Sequence, residues 1–78
     1  MKIVETKEVK DYLTSCGILK AYKKAKIYIL NDDLQQVRLK KRKPYSYNVW
    51  YFRITKKYRA FAQMKEDTLY VFHISDHQ

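Results

Sequence analysis

The sequence predicts an α+β domain in which two N-terminal helices pack on one face of a four-stranded, mainly antiparallel sheet. Two observations predict this class. Residues 6–30 carry apolar side chains at helical spacing, broken once by a glycine. Residues 48–78 hold three runs of β-branched and aromatic residues separated by short polar breaks, which is typical of a β-meander. The whole chain, residues 1–78, has the length of a single domain.

The N-terminal half supplies a strand and a helical hairpin. Residues 2–5 form a short apolar run that we expect to pair with the meander. Thr6 is placed to cap a first helix over residues 7–16, and Gly17 is placed to end it in the left-handed conformation. A second helix is predicted over residues 18–30, with lysines covering much of its outer face.

A polar segment divides the helices from the meander. Residues 31–33 either stop the second helix or cap a further short turn through Leu34 and Val37. Residues 38–47 are rich in lysine and arginine, and Pro44 disfavours helix at the position before it. We therefore predict an exposed basic connection that borders one surface of the sheet.

The meander runs lie at residues 49–55, 58–64 and 68–74. Alternation of side chains places Arg53 and Arg59 on the same face of the sheet, and the short turn between their strands places them opposite each other. Like charges directly opposite are destabilising, so we expect this place to attract an anion. The second turn has either two residues or more, and this choice leaves open which residues of the third strand share the arginine face.

The charge distribution points to a polyanionic partner. The formal net charge is +9, and residues 34–65 contain ten basic residues and no acidic one. Nucleic acid is the leading expectation, followed by an acidic protein or an anionic lipid. No apolar run approaches the ~20 residues of a membrane span, and the N-terminus lacks a signal-peptide core, so a cytoplasmic location is expected. The single cysteine, Cys16, fits a reducing compartment.

Several short motifs resemble those of one protein family. They are Arg53-Ile54-Thr55, Tyr58-Arg59-Ala60, a hairpin at Lys65-Glu66-Asp67-Thr68 and the terminal Asp76-His77-Gln78. These motifs resemble the C-terminal half of the RelE/ParE toxin superfamily, and are closest to its mRNA-cleaving RelE, YoeB and HigB members. The order of elements is also similar along the whole chain. The resemblance implies a RelE-like fold and a type II toxin, an endoribonuclease that cuts mRNA on the ribosome without a cofactor and is held by an antitoxin protein.

The resemblance also implies roles for individual residues. Arg59, aided by Arg53, is expected to bear the charge of the transition state, and His77 is expected to transfer a proton. The expected substrate-binding residues are Lys40, Lys41, Arg42, Lys43, Tyr51 and Asp76. Two departures stand out, because Gln78 replaces a terminal tyrosine of the YoeB type and Lys40 stands at the place of its carboxylate base.

Each of these residues also has a structural interpretation. Arg59 can pair with Asp76 or Glu66, and the basic run at residues 40–43 is either a solvated loop or similar to a nuclear localisation signal. Tyr51 can serve sheet packing, and His77 can belong to a frayed end. A metal site formed by His73, Asp76 and His77 is a weaker hypothesis, and no metal is expected. Two other functions stay open, a ParE-like inhibitor of DNA gyrase and a basic binding module without catalysis.

Overall fold

The computed structural model describes residues 1–76, and it shows two helices and five strands. The strands are β1 (Lys2–Glu5), β2 (Lys40–Lys41), β3 (Val49–Arg53), β4 (Arg59–Lys65) and β5 (Thr68–Ser75). The helices are α1 (Lys7–Ser15) and α2 (Leu19–Leu30). Two short 3-10 helices, Leu34–Val37 and Tyr45–Tyr47, lie between α2 and β3. The α+β class with two N-terminal helices is therefore confirmed.

The helical hairpin forms where its sequence signals predict. The hydroxyl oxygen of Thr6 accepts a hydrogen bond from the backbone N–H of Val9 at 3.1 Å, which caps α1. Gly17 has a φ of 70°, so it closes the helix in the left-handed region that an L side chain rarely adopts. Residues 31–33 both stop α2 and precede a further turn, since the 3-10 helix follows at once.

The sheet has five strands in the order β1-β5-β4-β3-β2, so the prediction of four strands was wrong. The additional strand is β2, which pairs antiparallel with β3 through Lys40 opposite Tyr51 and Lys41 opposite Trp50. Two residues are too few to show the alternation that predicts a strand, and this segment was predicted to be an exposed connection. At the other edge β1 pairs parallel with β5, and all the other pairs are antiparallel.

The turn between β4 and β5 has two residues, Glu66 and Asp67, because Lys65 pairs directly with Thr68. Glu66 adopts a φ of 57°, which is the left-handed geometry that such tight hairpins require. A bulge then interrupts the strand, since His73 pairs with Phe61 and Val71 pairs with Ala62. Side chains before and after the bulge consequently follow opposite alternations.

The bulge resolves which residues of β5 share the arginine face. Leu69, Val71 and Ile74 are buried beneath the helices, whereas Tyr70, Phe72 and His73 are exposed. Both helices cover the same face, with α1 packing against β5 and α2 against β1. The core lies between them, and its largest fully buried side chains are Leu13, Tyr22, Ile29, Phe52, Leu69 and Val71. The opposite face of the sheet has no covering element in the part of the chain that is described.

One polar network joins the helical layer to the sheet. The buried hydroxyl of Tyr22 in α2 donates a hydrogen bond to Oε2 of Glu5 at 2.7 Å. Lys26, one turn further along α2, places its Nζ 3.1 Å from Oε1 of the same carboxylate. The network satisfies a phenol and a carboxylate that the helix would otherwise desolvate without partners.

Stability above pH 10 should depend on Tyr22. Burial, followed by the hydrogen bond to Glu5, raises the pKa of Tyr22 well above its ordinary value of 10.0. The folded state therefore keeps a proton that the unfolded chain releases above about pH 10, so this contribution to stability is present below pH 10 and is lost as the pH rises further. The Tyr22→Phe variant should lose ~1 kcal/mol at pH 7 and decline less steeply above pH 10. Urea unfolding at pH 7 to 11 measures the unfolding free energy of the wild type and of the variant at each pH. Plots of unfolding free energy against pH that run parallel above pH 10 would contradict the raised pKa of Tyr22.

Candidate nucleic-acid interface

All four arginines of the chain lie along two adjoining grooves on the uncovered face of the sheet. The smaller groove has a volume of about 110 Å³ and is lined by Arg38, Lys40, Tyr51, Arg53 and Arg59. The larger groove has a volume of about 570 Å³, and its lining includes Arg42, Tyr51, Arg59, Phe61, Phe72 and His73. Arg59 and Tyr51 line both grooves, so the two form one continuous surface, which we name the arginine cleft.

Strand register places the central pair of arginines. Arg53 and Arg59 are directly opposite each other at the turn end of the β3–β4 hairpin, as the sequence predicted. The backbone of both arginines is fixed by the hydrogen bonds between β3 and β4, so the position from which each side chain extends is also fixed. Arg59 also lies over the ring of Tyr51, with 5.7 Å between the guanidinium carbon and the ring centroid. Both arginines are half-buried, which is the burial expected when the aliphatic part of the side chain is packed and the guanidinium group is accessible.

The edge strand β2 and the residues beside it add three more cations to the cleft. Lys40 pairs with Tyr51, which places its side chain on the arginine face. Arg38 precedes it in the left-handed conformation, with a φ of 54°, where the chain leaves the first 3-10 helix. Arg42 follows β2 and lies over the ring of Phe61 at 5.6 Å, while its backbone N–H donates to the carbonyl of Val49 at 2.7 Å.

Asn48 fixes the start of β3 and thereby the position of the cleft. It has a φ of 55°, a conformation that asparagine tolerates better than most residues. Its Nδ2 donates to the carbonyl of Met64 at 2.6 Å, and its Oδ1 accepts from Nε1 of Trp50 at 3.0 Å. This side chain therefore joins the beginning of β3 to the end of β4 and sets the register that aligns Arg53 with Arg59.

The cleft is positively charged and lacks a compensating acid among residues 1–76. The salt bridges of these residues involve the N-terminal amine and Lys26, and none includes an arginine. The facing pair Arg53 and Arg59 consequently repel each other. Guanidinium groups bind phosphate through two parallel hydrogen bonds, and a phosphate between them would remove this repulsion. The arrangement is suited to holding one phosphodiester group.

The other residues of the predicted site lie at different distances from the cleft. Lys41 faces away from it, because its ammonium lies over the ring of Trp50 at 5.7 Å and over Tyr45 at 6.0 Å. Lys43 is exposed in the connection before Pro44. Asp76 lines a separate groove of about 380 Å³ beside Tyr12, which adjoins the cleft through His73 and other residues of β5. His77 lies outside the described residues.

The cleft also contains residues that the sequence did not assign to the site. Arg38 was predicted only as part of the exposed basic connection, residues 38–47, and the pairing of β2 is what brings it beside Arg53. Phe61 lies on the same face as Arg59 because it is two residues further along the same strand, so its position could have been predicted from the sequence. His73 reaches this face because of the bulge in β5, for which the sequence gives no signal.

Comparison with known proteins assigns no family to this chain. No family model matches the sequence, and a search of curated proteins finds no significant relative. Among residues 1–76, no three His, Cys, Asp or Glu side chains group closely enough to hold a metal ion. Within the same range, none of the helices has the length and apolar character to cross a membrane.

Proposed function

We propose that this protein is a toxin of the RelE type that cleaves single-stranded mRNA at the arginine cleft. The observation that carries the proposal is the convergence of all four arginines on one uncovered surface, while 12 of the 13 lysines lie outside the smaller groove. An arginine fork binds the two free oxygens of a phosphodiester, whereas a lysine provides a point charge. Selective placement of arginine therefore supports phosphate recognition and not merely a basic surface.

The geometry suits cleavage through the RNA's own 2′-hydroxyl. Attack of this hydroxyl on the adjacent phosphorus forms a phosphorane with an additional negative charge, and the bond to the 5′-oxygen then breaks. Arg59 and Arg53 face each other where that charge would develop, and electrostatic stabilisation of this kind is commonly the largest catalytic contribution. The enzyme need not supply a nucleophile, which agrees with a cleft made of cations and aromatic rings.

Two proton transfers complete the reaction. One proton leaves the 2′-hydroxyl, and one is given to the departing 5′-oxygen. Lys40 lines the same groove as both arginines, which supports a role for its ammonium group as donor of the second proton. His77 is proposed as the other proton-transfer group on the strength of the family resemblance. The cleft is shallow and open, so it needs a larger structure to hold the mRNA, which supports action on the ribosome.

An antitoxin is the second proposed partner. The cleft presents a concentrated positive charge that an acidic segment can cover. The helical layer also exposes Ile27 and Leu30 of α2, which are 57% and 47% exposed. These side chains suit the apolar face of a segment that wraps the helix. We therefore propose an acidic, partly disordered antitoxin that contacts either surface.

One observation favours a second candidate, a basic binding module without catalysis. No carboxylate among residues 1–76 lines either groove of the cleft, so the usual general base of YoeB-type enzymes has no counterpart there. Such a module would bind RNA and leave it intact. The ParE-like alternative, binding of DNA gyrase, would also leave mRNA intact.

Inducible expression in a bacterium separates these functions. We expect growth arrest with new mRNA ends inside translated codons, and we expect both effects to disappear in Arg59→Ala but to persist in Lys20→Ala, which removes the same charge from the exposed side of α2. The variant His77→Ala tests the proton-transfer role. Arrest with intact mRNA and accumulated double-strand breaks in DNA would instead identify gyrase as the target. Growth without arrest and without RNA cuts would leave the binding module.

A further inference from the structure

Three rings form a row across the uncovered face of the sheet. Tyr51 in β3 is paired with Phe61 in β4, and Phe61 is paired with His73 in β5. The ring centroids are 6.0 Å apart for Tyr51 and Phe61, and 6.1 Å apart for Phe61 and His73. The row therefore crosses three strands at right angles and begins at Tyr51, beneath the guanidinium of Arg59.

The row belongs to the larger groove of the arginine cleft and faces solvent. All three rings line this groove, whose volume of about 570 Å³ lies in the size range of small-molecule sites. Tyr51 and Phe61 are half-buried and His73 is exposed. Arg42 lies over Phe61 as Arg59 lies over Tyr51, which adds cationic planes to the row.

We propose that this row holds consecutive unstacked bases of a single-stranded RNA, with the adjoining phosphate between Arg53 and Arg59. The choice of RNA rests on the proposed function, whereas the stacking itself rests on the row and its cations. Bases stack on aromatic rings and on guanidinium planes, and single strands are bound in this way without strict sequence preference. The row would then fix the direction in which the strand leaves the phosphate site, from β3 toward β5.

The spacing of the rings selects against a duplex. Bases in a stacked helix are separated by about 3.4 Å along each strand, which is little more than half of the spacing in the row. Bases on neighbouring rings must therefore be separated from each other and unpaired. The two ring pairs are also tilted by 39° and 35°, so they form a curved surface that a continuous helical stack does not match.

A binding measurement tests the proposal independently of cleavage. The probe is a fluorescein-labelled decamer of 2′-O-methyl uridine, which cannot be cleaved by 2′-hydroxyl attack, and anisotropy gives its Kd. Loss of one stacked base weakens binding by about 5- to 150-fold. We expect a loss of this size in Phe61→Leu and in His73→Ala, and near-normal binding in Phe61→Tyr. The matched control is Tyr70→Leu, an exposed aromatic on the same face outside the row.

The outcomes distinguish this inference from the proposed function. Normal probe affinity in Phe61→Leu, or equal competition by duplex RNA and by heparin at matched charge, would overturn the stacking row even if the protein cuts mRNA. Ring-dependent binding by a protein that cuts nothing would support the row and reject the nuclease. A DNA decamer that binds equally well would also support stacking, because the rings contact bases. Thermal unfolding of each variant identifies any loss caused by misfolding, and exposed His73 remains a test if Phe61→Leu does not fold.

Discussion

Replacing Arg59 with alanine is expected to lower the rate of RNA cleavage by about 10² to 10³-fold, the size of effect seen when one oxyanion donor is removed. Arg59 is the only arginine that lines both grooves of the cleft among the described residues. Its loss removes a fork from the phosphate that gains charge in the transition state. Binding should fall much less, since Arg38, Lys40 and Arg53 remain. Single-turnover cleavage of ribosome-bound mRNA separates the chemical step from binding.

The variant Arg59→Lys sharpens this prediction. It keeps the charge and loses the planar fork, so we expect binding close to that of the wild type and cleavage close to that of Arg59→Ala. Both variants should fold. Arg59→Ala removes the repulsion between the charges at positions 53 and 59, and Arg59→Lys leaves that repulsion unchanged. Full cleavage by Arg59→Lys would show that charge alone suffices. Full cleavage by Arg59→Ala would remove this residue from the mechanism.

Replacing Phe52 with alanine is expected to cost ~3 to 5 kcal/mol of unfolding free energy. Phe52 lies in β3, has no exposed surface and packs against Tyr22, with ring centroids 6.3 Å apart. Domains of this size have a total stability of only ~4 to 12 kcal/mol, so the variant loses a large part of it. The melting temperature should fall by at least about 12 °C.

The matched control for this loss is Phe72→Ala. Phe72 is also a phenylalanine in a strand of the sheet, β5, but its side chain lies on the uncovered face and is 49% exposed. Its replacement should change stability by no more than ~0.5 kcal/mol. Chemical unfolding monitored by Trp50 fluorescence gives both values. Equal losses in the two variants would contradict the assignment of the core to the helix-covered face.

The sequence predicts the parts of the fold that depend on local chemistry. Thr6 caps α1 because its hydroxyl reaches a nearby backbone N–H, and Gly17 ends it because only glycine adopts that conformation without strain. The facing of Arg53 and Arg59 follows from alternation and from the length of the turn between them. Each of these features depends on residues only a few positions apart, so contacts with distant parts of the chain have little influence on it.

The remaining features depend on contacts that the sequence does not encode locally. The strand β2 exists because β3 offers it a partner edge, and this pairing brings Arg38 and Lys40 to the cleft. The bulge in β5 lets Val71 and Ile74 both reach the core, and it moves His73 to the arginine face. A strict alternation puts either Leu69, Val71 and His73 or Tyr70, Phe72 and Ile74 on the arginine face. Neither set is correct, because the bulge changes which side chains point to that face.

The most direct measurement of phosphate binding by the cleft is arginine side-chain NMR. The protein has four arginines, so its spectrum should hold four Nε–H signals. On addition of the 2′-O-methyl uridine decamer, the signals of Arg53 and Arg59 should shift most and saturate together, as expected for one phosphate held between two forks. Perturbation confined to lysine signals, with the signals of Arg53 and Arg59 unchanged at saturating RNA, would contradict the phosphate site and the function proposed for it.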